Sequence, residues 1–103
     1  MSQWRIVCKI EEIPRQRARV LAISDAHIAV FRTDDDRVFA VEDRCPHRGA
    51  PLSQGVLYDG DKVACLDHGW SVCLTDGNVL APERGCVRTF AVKVDGGIVY
   101  VMT

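Results

Sequence analysis

No run of this 103-residue chain approaches the ~20 consecutive apolar residues that a membrane-spanning helix requires. The opening "MSQWRIVCKIEEIP" has no apolar stretch of signal-peptide length, and Arg5, Lys9, Glu11 and Glu12 interrupt it with charge. A basic excess is missing as well. The 13 Lys and Arg stand against 14 Asp and Glu, a net charge of −1, so there is no positive field to recruit nucleic acid or an anionic membrane. An even cysteine count is also missing. Five cysteines do not make the paired framework of a small secreted domain. In a reducing compartment, thiols serve instead as ligands, reactive groups or small core residues. There is no G-x-G-x-x-G for a dinucleotide, no internal repeat and no low-complexity tract. The expectation is a cytoplasmic protein with no membrane and no nucleic-acid partner. Its length suits one domain over residues 1–103 and leaves no room for a second core.

Helical periodicity is scarce too. "IEEIPRQRARVLA" has the composition of a helix, but Pro14 removes a backbone donor and biases Ile13 away from helical geometry. At most one turn is expected near Glu11 and Glu12. What the chain does have is a period of two. "ARVLAIS" and "HIAVFRT" read as strands with a tight turn at Asp25-Ala26 between them. "RVFAVED" follows the acidic turn Asp34-Asp35-Asp36, and "DKVAC" and "WSVCL" flank a loop. "NVLA" returns after the turn Thr75-Asp76-Gly77. At the end, "RTFAVKV" and "IVYVM" bracket Asp95-Gly96-Gly97 as a hairpin, with Phe90, Val92 and Val94 on one face. The fold class predicted is all-β, about ten short strands carrying two functional loops.

Those loops are "CPHRGAPLSQG" and "CLDHGW". Each holds one thiol and one imidazole, as Cys45-x-His47 and, after 17 intervening residues, Cys65-x-x-His68. Four such groups in turn-rich loops can be a metal site, and three readings are open. The thiols can be inert core groups with the histidines on the surface. They can hold structural zinc, but zinc fingers pair cysteine with cysteine and put the histidines on a helix. They can hold a [2Fe–2S] cluster in which two cysteines bind one iron and two histidines the other, each loop giving one of each. In that arrangement two thiolates and two sulfides balance two ferric ions when the imidazoles are neutral. A neutral oxidised site accepts an electron more readily than a dianionic all-cysteine one, which places the potential at about −150 to +300 mV.

The two motifs, with the trailing "TDG", resemble the Rieske family. The resemblance implies a domain of stacked small antiparallel sheets with one Rieske-type [2Fe–2S] cluster per chain. Cys45 and Cys65 would then hold the inner iron, and His47 and His68 the outer one, nearer solvent. Respiratory Rieske proteins add a disulfide across the loops and two hydroxyls near the sulfurs. The matching positions here are Ala50 and Asp67, and Trp70 and Val72, so the resemblance implies a low-potential centre. Gly49, Gly55 and Gly69 would shape the loop backbones, and Pro82 would sit in a covering loop. Pro46, Pro51, Leu52, Gly69 and Trp70 would form an apolar rim around the exposed histidines. Cys73 and Cys86 are expected in the core, with a disulfide between them as a lesser possibility. His27 is expected at the surface, and the alternating Arg15, Arg17 and Arg19 on a solvated face.

Outside the motifs, "IPRQRARVL", "IAVFRTDDDRVFAVEDRCPHRGAPLSQG" and "GCVRTFAVKVDGGIVYV" look like the small-subunit family of assimilatory NAD(P)H-dependent nitrite reductases. That likeness implies a large-subunit partner carrying FAD, a [4Fe–4S] cluster and sirohaem, which reduces nitrite to ammonium. This chain would contribute to the oxidoreductase as an electron-transfer subunit and would have no catalytic residue of its own. Two alternatives accompany it: the ferredoxin of a ring-hydroxylating dioxygenase system, and a docking module without redox duty.

Overall fold

The structure is a computed structural model that describes residues 3–23, 25–46, 49–67 and 69–103. Ten strands follow one another: β1 (Trp4–Lys9), β2 (Arg17–Ile23), β3 (Ala26–Arg32), β4 (Val38–Glu42), β5 (Val56–Tyr58), β6 (Lys62–Ala64), β7 (Ser71–Cys73), β8 (Thr89–Phe90), β9 (Val92–Asp95) and β10 (Ile98–Met102). Among the described residues there is no α-helix, only single 3-10 turns at Ile10–Glu12 and Leu52–Gln54. The first is the turn expected beside Pro14. The second, inside the first loop, had no sequence signal.

The strands form three antiparallel sheets, ordered β1-β10-β9, β2-β3-β4-β8 and β5-β6-β7. The second sheet is the middle layer. Because side chains alternate along a strand, β3 sends Ile28 and Val30 into one core and Ala29 and Phe31 into the other, so the two faces of the middle sheet carry two cores where one was expected. β4 divides likewise, with Ala40 on the first side and Val41 on the second. The first core is closed by Val99 and Val101 of β10, with Ile13 and Cys8. The second is closed by Leu57, Val63 and Val72 from the third sheet and includes Cys45 and Cys65. Burying each such aliphatic side chain contributes about 1.5–3 kcal/mol, so both thiols sit in the apolar mass that fixes the third sheet on the rest.

The expected strands are present with small shifts. In the first hairpin Ile23 pairs with Ala26, so Ala26 belongs to the strand and not to the turn. The closing hairpin turns on Gly96 and Gly97, with φ of 59° and 78°, the left-handed pair that a two-residue hairpin turn requires. "RTFAVKV" is not one strand. It breaks at Ala91, so β8 pairs with β4 in the middle sheet while β9 pairs with β10 in the first. Phe90 is buried and Val92 half-buried against the first core, but Val94 lies on an edge and is 44% exposed. "NVLA" forms no strand and contributes two isolated bridges, Val72 to Val79 and Asn78 to Cys86. The acidic turn is held from both sides: the Thr33 hydroxyl bonds to the Asp35 carboxylate and accepts the Arg37 N–H at 2.9 Å. Arg32 donates to the Asp36 carboxylate and to the carbonyls of Ile10 and Ile13.

Candidate metal centre

Both cysteine loops leave the end of a strand, one after β4 and one after β6. They fold by the same hydrogen-bond pattern. Cys45 N–H donates to the Ala50 carbonyl at 2.7 Å and Gly49 N–H donates back to Cys45 O at 2.7 Å. Cys65 N–H donates to the Trp70 carbonyl at 2.7 Å and Gly69 N–H donates back to Cys65 O at 3.1 Å. The fifth residue of each turn must be left-handed. Gly49 and Gly69, at φ of 75° and 69°, meet that need without a Cβ penalty. A third turn of identical pattern runs from Cys73 to Asn78 through Gly77, at φ 77°. Its cysteine is half-buried where the other two are buried, and Cys73 Sγ lies 2.9 Å from Thr75 Oγ1.

Cys45 and Cys65 are 1% and 2% exposed. Burial pushes the Cys65 thiol up, and the Cys45 thiol beside it pushes the same way; the Asp67 N–H on Cys65 sulfur opposes both. Two neighbouring thiols in an apolar pocket resist ionisation unless a cation takes their charge. A backbone N–H already aimed at one sulfur suits a thiolate ligand better than an inert core thiol. The donor set therefore fits an iron–sulfur group. His47, Arg48 and His68 lie outside the described residues. Around them exposure rises within a few positions of each cysteine: Pro46 is half-buried and Gly49 exposed, and Leu66 is 68% exposed with Gly69 exposed beside it.

Two supports have no local sequence signal. Ser53 donates both its N–H and its hydroxyl to the Asp43 carboxylate, at 2.7 and 2.8 Å, which clamps the ends of the first loop across ten positions. The segment after Val79 packs on the same loop, where a Cβ on Gly85 would lie 3.2 Å from Pro46 Cβ. Pro82 itself is exposed, after a cis peptide bond from Ala81, so the covering contact runs through Gly85.

Some expectations need correction. Leu52 is fully buried and belongs to the second core, not to an apolar rim; Pro51 is exposed as expected, and Leu66, outside the expected rim, is exposed as well. Cys86 is exposed, Cys73 is half-buried, and both are free thiols, so neither a core position for Cys86 nor a disulfide between them is found. Val72 is fully buried and Trp70 packs partly buried against the same core. His27 is exposed, as expected.

The family profile of the Rieske [2Fe-2S] domain matches residues 3–91. The chain belongs to the Rieske family. It is thus an all-β Rieske electron-transfer protein with a Rieske-type cluster. It is 39% identical over 102 residues to the 3-phenylpropionate/cinnamic acid dioxygenase ferredoxin subunit of Photorhabdus laumondii, covering 98% of this chain and 94% of that one. It is 33% identical to the chloroplastic protein TIC 55 of Pisum sativum over 97% of this chain, and spans only 20% of that relative's length. Among solved structures, the NADH-dependent nitrite reductase small subunit of Mycobacterium tuberculosis superposes with a TM-score of 0.90 at 27% identity, covering 100% of this chain and 96% of that one. No helix among the described residues is long and apolar enough to cross a membrane.

Proposed function

We propose that this Rieske protein is the electron-transfer small subunit of an assimilatory NAD(P)H-dependent nitrite reductase, a single cytoplasmic domain. Cys45 and Cys65 hold the inner iron and His47 and His68 the outer iron. The cluster supplies one-electron transfer, and nitrite reduction to ammonium belongs to the large subunit with its FAD, [4Fe–4S] and sirohaem. The residues of this chain do three things. The two buried thiols present negative charge where water is excluded. The Asp67 N–H favours the thiolate at Cys65. Leu66 and Pro51, both exposed, give a contact surface beside the histidine positions that sheds water when a partner covers it.

The observation that carries the reading is a superposition covering the whole chain at a TM-score of 0.90 on a nitrite reductase small subunit, with the likeness of "GCVRTFAVKVDGGIVYV" beside it. A net charge of −1 gives little long-range steering, which suits a bound subunit better than a diffusing carrier. A second reading is favoured by the 39% identity over nearly the full length of a dioxygenase ferredoxin: a shuttle from a flavin reductase to an oxygenase. Coexpression separates them. The expected outcome is a stable complex with the large subunit and NAD(P)H-dependent nitrite reduction, weakened by Leu66→Glu. Efficient support of dioxygenase turnover, with no binding to the large subunit, gives the second reading instead. Colourless, iron-free protein that still binds would make the chain a docking module.

A further inference from the structure

The arginine row does not behave as a uniform solvated face. Arg15 is forked onto the Asp36 carboxylate at 2.8 and 3.1 Å. Arg19 lies 3.8 Å from the Glu12 carboxylate. Arg17 makes no ion pair or side-chain hydrogen bond with any described residue. It contributes to an open groove of about 460 Å³ bounded by residues 15–17 and 54–57. No carboxylate lines that groove, and the side chains of Gln16 and Gln54 also have no hydrogen bond to a described residue.

The groove runs between two open edges. β2 has a neighbour on one side only and so does β5, in a different sheet. β2 carries the charged Arg17 and Arg19 and β5 is only three residues long, but neither strand contains proline or lysine. Val56 on β5 is 57% exposed and Val20 on β2 is 42% exposed. Gly55 pins the start of β5 tightly against β6, since a Cβ there would meet Ala64 O at 2.5 Å. The β5 edge is therefore rigid, apolar and unpaired, beside an unneutralised guanidinium.

We propose that this groove docks an extended acidic segment of the electron-transfer partner, which adds as a strand to β5 and sets a carboxylate on Arg17. Strand addition satisfies the open backbone groups of the edge, while alternate side chains select the sequence. One peptide that alternates acid and aliphatic residues meets all three features at once: the edge, Arg17 and Val56. A small carboxylate would use Arg17 and leave the edge and Val56 uncovered. A second copy of this chain seated symmetrically on the groove would bring Arg17 against its own like charge. Gln54 and Gly55, which line the groove, end the first cysteine loop, so a partner held there as well as at the cysteine–histidine turns gains a second, intramolecular contact. The proposal holds for either electron partner and does not depend on which one it is.

The test is NMR titration of the oxidised holoprotein with a blocked five-residue peptide alternating glutamate and valine. Amide shifts should move at Arg17, Val56 and Leu57, and Arg17→Gln should weaken binding about tenfold, the scale of one charge-assisted hydrogen bond. A lysine–valine peptide should not bind, and methylating the glutamate peptide's alternate backbone nitrogens should abolish binding. The idea is overturned if no peptide binds, if the shifts fall elsewhere, if Arg17→Gln binds as well as the wild type, or if the methylated peptide binds equally.

Discussion

Gly55 offers a test of how tightly the third sheet is built. Its backbone is in ordinary extended geometry, φ −76° and ψ 177°, which alanine adopts freely. On backbone grounds alone Gly55→Ala should stabilise the protein by about 0.4–1 kcal/mol through the unfolded chain. Its neighbours reverse that sign. The new Cβ would lie 2.5 Å from the Ala64 carbonyl oxygen, 2.8 Å from Val63 Cγ2 and 3.0 Å from the Leu52 carbonyl oxygen. A carbon–oxygen approach relaxes near 3.3 Å, so the β6 backbone must yield by about 0.8 Å. Overpacking of this kind costs about 1–3 kcal/mol, and the net expectation is about 1–2 kcal/mol of destabilisation. For a domain this size, that lowers the melting midpoint by about 5–15 °C. Ala64 precedes Cys65, so the relief moves the second cysteine loop, and visible absorbance should bleach earlier in the same melt. Gly69 is the contrast. A Cβ there meets no described residue within 4 Å, so among the described residues only its φ of 69° opposes substitution. Asparagine, which tolerates the left-handed region, should be nearly neutral at Gly69 and worse than alanine at Gly55. Melts of anaerobically prepared holoprotein, followed by circular dichroism and visible absorbance at one scan rate, decide it. An equal or higher midpoint for Gly55→Ala would refute the packing argument.

Cys45→Ser and Cys65→Ser should each remove the cluster's visible spectrum and its reduced EPR signal, while Cys73→Ser and Cys86→Ser leave both intact; bleaching by Cys73→Ser alone would overturn the ligand assignment. The wild-type midpoint should fall toward the lower, roughly −150 mV, end of the Rieske range. A tyrosine at Val72 would overfill a fully buried site, so Val72→Thr is the usable hydroxyl donor, and protein-film voltammetry should show it shifting the midpoint upward. Asp36 is held at about 2, below its ordinary 3.8, first by the Arg15 hydrogen bond and then by Arg32. A depressed carboxylate contributes stability above its unfolded pKa and loses it as pH falls through the folded value. Holoprotein stability should therefore decline between pH 4 and 2, and Arg15→Gln should flatten that decline in urea midpoints measured against pH.

What the residues made legible was whatever repeats at short range. The period of two is a local signal: β2, β3, β4, β6, β7 and β10 fall on the segments it marks, whereas β1 and β5 do not. The paired Cys–His spacing was legible for the same reason: each pair fits within one six-residue turn closed by a glycine. What failed to show was decided between distant segments. "RTFAVKV" alternates without a fault, yet its halves belong to different sheets because β4 and β10 offer separate edges at Ala91. Leu52 and Leu66 are both leucines in cysteine loops. The first belongs to a 3-10 turn packed against the middle sheet and the second extends from a tight turn, so one is core and the other surface. Asp43 and Ser53 meet only because the first loop closes on itself. The arginine row shows the same limit in reverse. A regular alternation suggested three equivalent residues, but acids from two other elements, Asp36 and Glu12, engage the outer two. Arg17 is left unpaired by where its neighbours fold, and the groove beside it follows from the placement of β2 and β5 as the edges of separate sheets.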